Sequence, residues 1–228
     1  MSRSSIYLLS TIGIIVAMLT IFSIWMQGQY FLVSITFLLM VFVPLLMRFE
    51  QRNIEGRELV FLAVLIAIAS ISRVPFAPLP SIQPTSFVIM ASAWVLGAES
   101  GFLIGALSAF VSNIFLGQGP WTPWQMLAWG LMGCMAGWLK DTWWMQKLWG
   151  KLLFGLGWGF LFGWIMNLWV MTGSLHFWSW QEWLTIYLAS FFFDLAHALC
   201  NVVFITLFTS KWLRNLERFQ VKYGLLKS

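Results

Sequence analysis

Apolar runs of helix length, separated by short polar or Pro/Gly-rich segments, repeat along almost the whole chain. Runs of about 20 residues with few charges suit membrane-spanning helices and are too long for barrel strands. Eight such runs are expected. Helix A covers about Ile6–Trp25 and helix B about Tyr30–Leu46. A charged linker, Arg48 to Glu58, leads into helix 1 at about Leu59–Pro75. Helix 2 follows at Thr85–Leu96, helix 3 at Gly101–Leu116 and helix 4 at Pro123–Leu139. Beyond a loop from Lys140 to Lys151, helix 5 covers Leu152–Met171. An aromatic hairpin at 173–182, helix 6 at Trp183–Phe208 and a basic amphipathic tail at 211–228 complete the pattern. The expected fold is an all-α, polytopic membrane bundle. It divides into a two-helix N-terminal extension with its linker (1–56) and a six-helix core (57–228).

Composition agrees. The chain is 60% hydrophobic and only 9% charged, against about 25% charged in soluble domains, so it cannot cover itself in water. The net charge of +5 reflects topology and not nucleic acid binding, because the basic residues sit at helix ends. With the N-terminus inside, segments 1–5, 48–58, 140–151 and 211–228 hold 12 of the 13 Lys and Arg residues, and Arg73 is the exception. Both termini are therefore expected on the cytoplasmic side, in the plasma membrane of a prokaryote. The first run has only Arg3 before it and no small-residue cleavage site, which suits a retained helix. Cys134 and Cys200 lie in apolar runs without metal-type spacing and read as packing residues.

Small residues recur at intervals of four: Gly97, Gly101 and Gly105; Gly133 and Gly137; Gly155, Gly159 and Gly163. Such spacing lets helix backbones approach closely in lipid. Polar residues also recur at one depth. Counted from the inner charge of each helix at 1.5 Å per residue, Arg73, Thr85, Asn113, Gln125, Asn167 and Asp194 all fall about 21–25 Å up. Helix 6 adds a stripe of Tyr187, Ser190, Asp194, His197 and Asn201 on one face. Charges at that depth are costly unless paired or facing a cavity, so Arg73 and Asp194 are expected to pair across a pocket floored by Asn113 and Asn167. His197 is expected to be a satisfied interior histidine near it, kept with Thr85, Asn167 and Asp194 among the candidate substrate-binding residues, and His176 an exposed loop residue.

Two Pro-rich turns stand above that layer. One reads Leu79-Pro-Ser-Ile-Gln-Pro-Thr85, the other Gly117-Gln-Gly-Pro-Trp-Thr-Pro-Trp-Gln125. Pro and Gly enforce turns here, and Gln83, Gln118, Trp121 and Trp124 then face a ligand as a lid. Sixteen Trp residues favour a large or planar ligand held by stacking, with Gln83, Gln118 and Gln125 as uncharged hydrogen-bonding groups. A strongly anionic ligand suits the pocket less, since Arg73 is the only outer cation and is expected to be tied to Asp194. No Walker loop, His-Glu-x-x-His or Gly-x-Ser-x-Gly motif occurs. No enzyme activity, metal or cofactor is expected, and any transport must draw energy from a partner.

The core resembles the substrate-binding S components of energy-coupling factor (ECF) vitamin transporters. Three features carry the likeness: Ala63-Val-Leu-Ile-Ala67 in helix 1, a six-helix core of about 170 residues, and the two turn sequences. The turns are most like members assigned to cobalamin-type or unassigned substrates. The resemblance implies capture of a vitamin, cobalamin or a precursor by preference. It also implies docking through Ala63 and Ala67 onto a transmembrane coupling protein that carries two cytoplasmic ATPases. Helices A and B depart from the six-helix pattern. The competing expectation is a membrane anchor or assembly protein without a ligand, which predicts a closed, fully packed top in place of a cavity.

Overall fold

The computed structural model describes residues 56–172 and 179–223, together with Ser10, Gly13, Ile14, Ala17, Ile21 and Thr36. The expected helices A and B, apart from those six positions, and most of the aromatic hairpin with His176 lie outside the described residues. The rest is an all-helical membrane bundle. Its elements are α1 (Gly56–Arg73) with a 3-10 turn (Val74–Phe76), α2 (Pro84–Leu96), α3 (Ala98–Leu116), α4 (Thr122–Leu139), α5 (Leu148–Thr172) and α6 (Trp180–Tyr223).

Four of these helices are long and apolar enough to cross a membrane: Gly56–Phe76, Ala98–Leu116, Leu148–Met171 and Trp180–Tyr223. Their outer faces carry large apolar side chains, Val60, Val64, Ile71, Leu153, Leu161, Leu188, Phe192 and Leu207 among them. Such a surface suits lipid or another apolar helix and not water.

α2 is the central element. All thirteen of its residues are buried, as expected of a helix that is apolar all round. Pro84 starts it in the first turn. Gly97, at φ 89°, ends it and begins α3 one residue later. Lys140 Nζ caps that end by donating to the Val95 carbonyl at 3.4 Å. Because a single residue joins α2 to α3, their ends are level there. At the far end α2, with 13 residues against 19 in α3, stops about 9 Å short. The connection 77–83 dips into that space.

α3 and α4 pack backbone to backbone. A Cβ at Gly101 would strike the Gly133 carbonyl, one at Gly133 the Gly101 carbonyl, and one at Gly105 the Trp129 carbonyl. α5 meets α6 the same way: Gly159 faces the Ala198 backbone, and Gly163 faces the Asp194 carboxylate. The small-residue spacing thus produces the close contacts expected of it.

Two boundaries differ from expectation. α5 begins at Leu148, inside the expected loop. Lys151 is consequently a helical residue, its Nζ donating to the Met145 carbonyl at 2.5 Å and lying over the Trp94 ring at 5.5 Å. α6 runs unbroken for 44 residues, so the expected helix 6 and its amphipathic tail as far as Tyr223 are one rod of about 66 Å. Nothing between Phe208 and Lys211 stops a helix, since the stretch lacks Pro and Gly.

Candidate ligand-binding site

The short reach of α2 leaves a cavity of about 320 Å³ at its Pro84 end. Arg73 of α1, Asn113, Leu116 and Gly117 at the end of α3, and Trp121 line it. The connection after α1 supplies the rest, from Phe76 to Gln83. Both Pro-rich turns therefore border one space. Each is locally enforced. Gly117, at φ 103°, closes α3 by donating its N–H to the Asn113 carbonyl at 2.9 Å. Thr122 closes the second turn, its Oγ1 accepting from the Gly119 N–H at 3.2 Å. Ser81 sits at φ 59°, a left-handed conformation costing about 1 kcal/mol in a non-glycine residue.

Asn113 organises the polar floor. It is 1% exposed. Its Oδ1 accepts from Arg73 Nη1 at 2.7 Å. Its Nδ2 donates to Gln125 Oε1 at 2.7 Å and to Thr122 Oγ1 at 3.0 Å. Arg73 also donates through Nη1 to Ser112 Oγ at 2.9 Å and through Nε to Gln83 Oε1 at 3.1 Å. Its guanidinium carbon lies 5.0 Å from the Trp129 ring centre. These contacts hold an arginine at membrane depth by hydrogen bonds and an aromatic face.

A buried relay lies under the arginine. Trp129 Nε1 donates to Ser86 Oγ at 3.0 Å, and Ser86 Oγ lies 2.7 Å from His197 Nε2. The Phe162 ring sits 4.9 Å from both the Trp129 and the His197 rings. His197, 3% exposed, is thus an interior histidine with a polar partner, as the sequence led one to expect.

The expected Arg73–Asp194 pair does not form. Among the described residues Arg73 makes no ion pair with any carboxylate; its bonds go to Gln83, Ser112 and Asn113. Asp194 packs on α5 at Gly163 and accepts from Ser190 Oγ at 3.0 Å. Asn167 Nδ2 donates to the same Ser190 oxygen at 2.8 Å. Counting rise along a helix yields height but not direction. The polar layer therefore separates into the Arg73 network, which borders the cavity, and the Asn167–Ser190–Asp194 group between α5 and α6.

The other candidates divide likewise. Arg73, Gln83, Asn113 and Trp121 line the cavity, and Gln125 supports it through Asn113. Trp121 also packs edge-on against Trp169, 5.8 Å away. Gln118 turns back on α3, its Nε2 donating to the Phe110 carbonyl at 2.9 Å. Thr85 and Trp124 are buried and do not line the cavity, nor do Asn167, Asp194 and His197. Ala63 and Ala67 are exposed on α1. Sequence reasoning missed Ser112, Ser86 and Trp129. Ser112 was detectable as a polar neighbour of Asn113 in an apolar helix; the other two matter only through contacts across the bundle.

Compared with known proteins, residues 53–214, well over half of the chain, match the family described as ECF-type riboflavin transporter, S component. No curated protein and no solved structure matches at a significant level.

Proposed function

The chain belongs to the family of ECF-type riboflavin transporter S components, and from that premise we propose that it captures a flavin in the cavity between its two Pro-rich turns. Family membership makes it a substrate-specific subunit of an ECF transporter, a multi-pass protein of the plasma membrane and a member of a transport family, not an enzyme family. The observation that carries the ligand reading is the cavity itself. An anchor protein calls for a packed top, whereas here about 320 Å³ lie open beside Arg73, Gln83, Asn113 and Trp121. That volume is at the small end of ligand pockets, about 300–1,000 Å³. It suits a flavin-sized heterocycle better than the several-fold larger corrinoid expected from the turn sequences. Trp121 and Phe76 supply apolar ring surface for a planar body, and the polar floor supplies hydrogen bonds.

The positive-inside pattern puts both termini in the cytoplasm and opens the cavity outward. Loaded protein then docks on a transmembrane coupling protein carrying two ATPases. The exposed Ala63 and Ala67 provide a flat strip of α1 for a partner helix. Residues 1–52 lie outside the family match; we assign helices A and B as an addition to the transport core.

The test is flavin binding by the purified full-length chain in nonionic detergent, read by quenching of flavin fluorescence. Saturable one-to-one quenching that weakens about tenfold or more in Trp121→Ala is the expected result. Absence of saturable binding by any flavin refutes the reading and returns the anchor.

A further inference from the structure

The hydrogen bonds around Arg73 leave an imbalance in the cavity. A guanidinium has five N–H donors. Nε is spent on Gln83, and the two donors of Nη1 on Ser112 and Asn113. The two N–H groups of Nη2 remain, on a residue that lines the cavity. Gln83 lines it too; its Oε1 already accepts from Arg73, and its Nε2 donor pair is unspent. Asn113 has no donor left, since both amide protons go to Gln125 and Thr122, and its oxygen already accepts from Arg73. This corner therefore holds donors and a full positive charge. Among the described residues no carboxylate pairs with that charge.

We propose that the natural ligand carries an oxyanion, a phosphate monoester or carboxylate, which sits against Arg73 Nη2 and Gln83 Nε2 while the ring system lies toward Trp121. The proposal rests on the flavin reading above and narrows it to an anionic member of that class. Three physical points support it. An unpaired arginine at membrane depth is costly, and a ligand anion offsets that cost as it binds. A planar guanidinium edge matches the spacing of two oxyanion oxygens. A cationic ligand meets repulsion with no carboxylate to relieve it. The sequence argued against an anionic ligand on two grounds, that Arg73 is the one outer cation and that it is tied to Asp194; the second premise is gone.

The experiment compares riboflavin with riboflavin 5′-phosphate, whose ester carries a charge of about −1.5 to −2 at neutral pH. Dissociation constants are measured by fluorescence quenching on the full chain in nonionic detergent. The phosphate ester is expected to bind about tenfold tighter or more. Arg73→Met is expected to abolish the preference. Asn113→Asp keeps an oxygen opposite Nη1 and gives Arg73 a counter-ion within the protein, so it too is expected to lose the preference, with the arginine still in place. Riboflavin binding as tightly as its phosphate, or a preference that survives in both variants, overturns the proposal and leaves the flavin reading standing. Binding of neither compound refutes both. Repeating the titration with added phosphatidylglycerol separates ligand from lipid: a preference that persists supports the proposal. Its loss assigns the corner to a lipid phosphate and overturns the proposal.

Discussion

Replacing Asn113 with alanine removes three side-chain hydrogen bonds at once, and their sum can be worked from the structure. The bond from Arg73 is charge-assisted and 2.7 Å long; such bonds contribute about 1.5–3 kcal/mol. Those to Gln125 and Thr122, at 2.7 and 3.0 Å, contribute about 1 kcal/mol each. The gross loss is about 3.5–5 kcal/mol. Asn113 borders the cavity, so water re-solvates part of what the alanine abandons, and a net cost of about 2–4 kcal/mol follows. At about 2–4 °C per kcal/mol for a chain of this size, the thermal midpoint in detergent should fall by about 5–15 °C. Tryptophan fluorescence during a thermal ramp measures it. Asn113→Asp is the paired control. It retains an acceptor for Arg73, and Gln125 needs only to turn its amide to donate in place of accepting, so its midpoint should stay within about 3 °C of the wild type. An alanine variant as stable as the wild type, or an aspartate variant as unstable as the alanine, refutes Asn113 as the organiser of the floor.

Two further outcomes are expected. Gly105→Val should lower the thermal midpoint or abolish folded yield, because its Cβ meets only backbone atoms of Trp129 and Gly130 and overpacking of that kind costs about 1–3 kcal/mol or more. Gly157→Val, with nothing within 4 Å of the added atom, should be close to neutral, and equal effects at the two sites count against close α3–α4 packing as the cause. Ala67→Trp should leave the thermal midpoint and flavin titration unchanged, since the side chain is exposed, and should block flavin uptake by vesicles containing the coupling protein and ATPases. Unchanged uptake removes α1 from the docking surface.

The shortness of α2 was legible in Pro84 and Gly97, and it decides where the cavity lies. The glycine spacings announced close helix packing, and the structure assigns those contacts to α3–α4 and α5–α6. Arg73, Gln83, Asn113 and Trp121 were also legible as candidates, since polar or turn-forming residues beside apolar helices stand out. The division of the polar layer was not legible. Asp194 and Arg73 lie at matching heights by residue count, yet one faces Gly163 on α5 and the other Ser112 and Asn113 on α3. Likewise the continuation of α6 past Phe208 changes the amphipathic pattern without any residue that breaks a helix, so hydropathy suggested an end where the backbone has none.

By itself, then, the sequence determined the membrane bundle, its helix order and the two turns that border the cavity. These follow from local properties: the cost of charge and unpaired backbone groups in lipid, and the dihedral limits of Pro and Gly. Only the tertiary structure decided which polar side chains meet. Partner choice depends on the rotation of each helix about its axis and on crossings set by packing, and neither is encoded in residue spacing along a single helix. That is why the structure, and not residue spacing, shows that among the described residues Arg73 meets Gln83, Ser112 and Asn113 and no carboxylate.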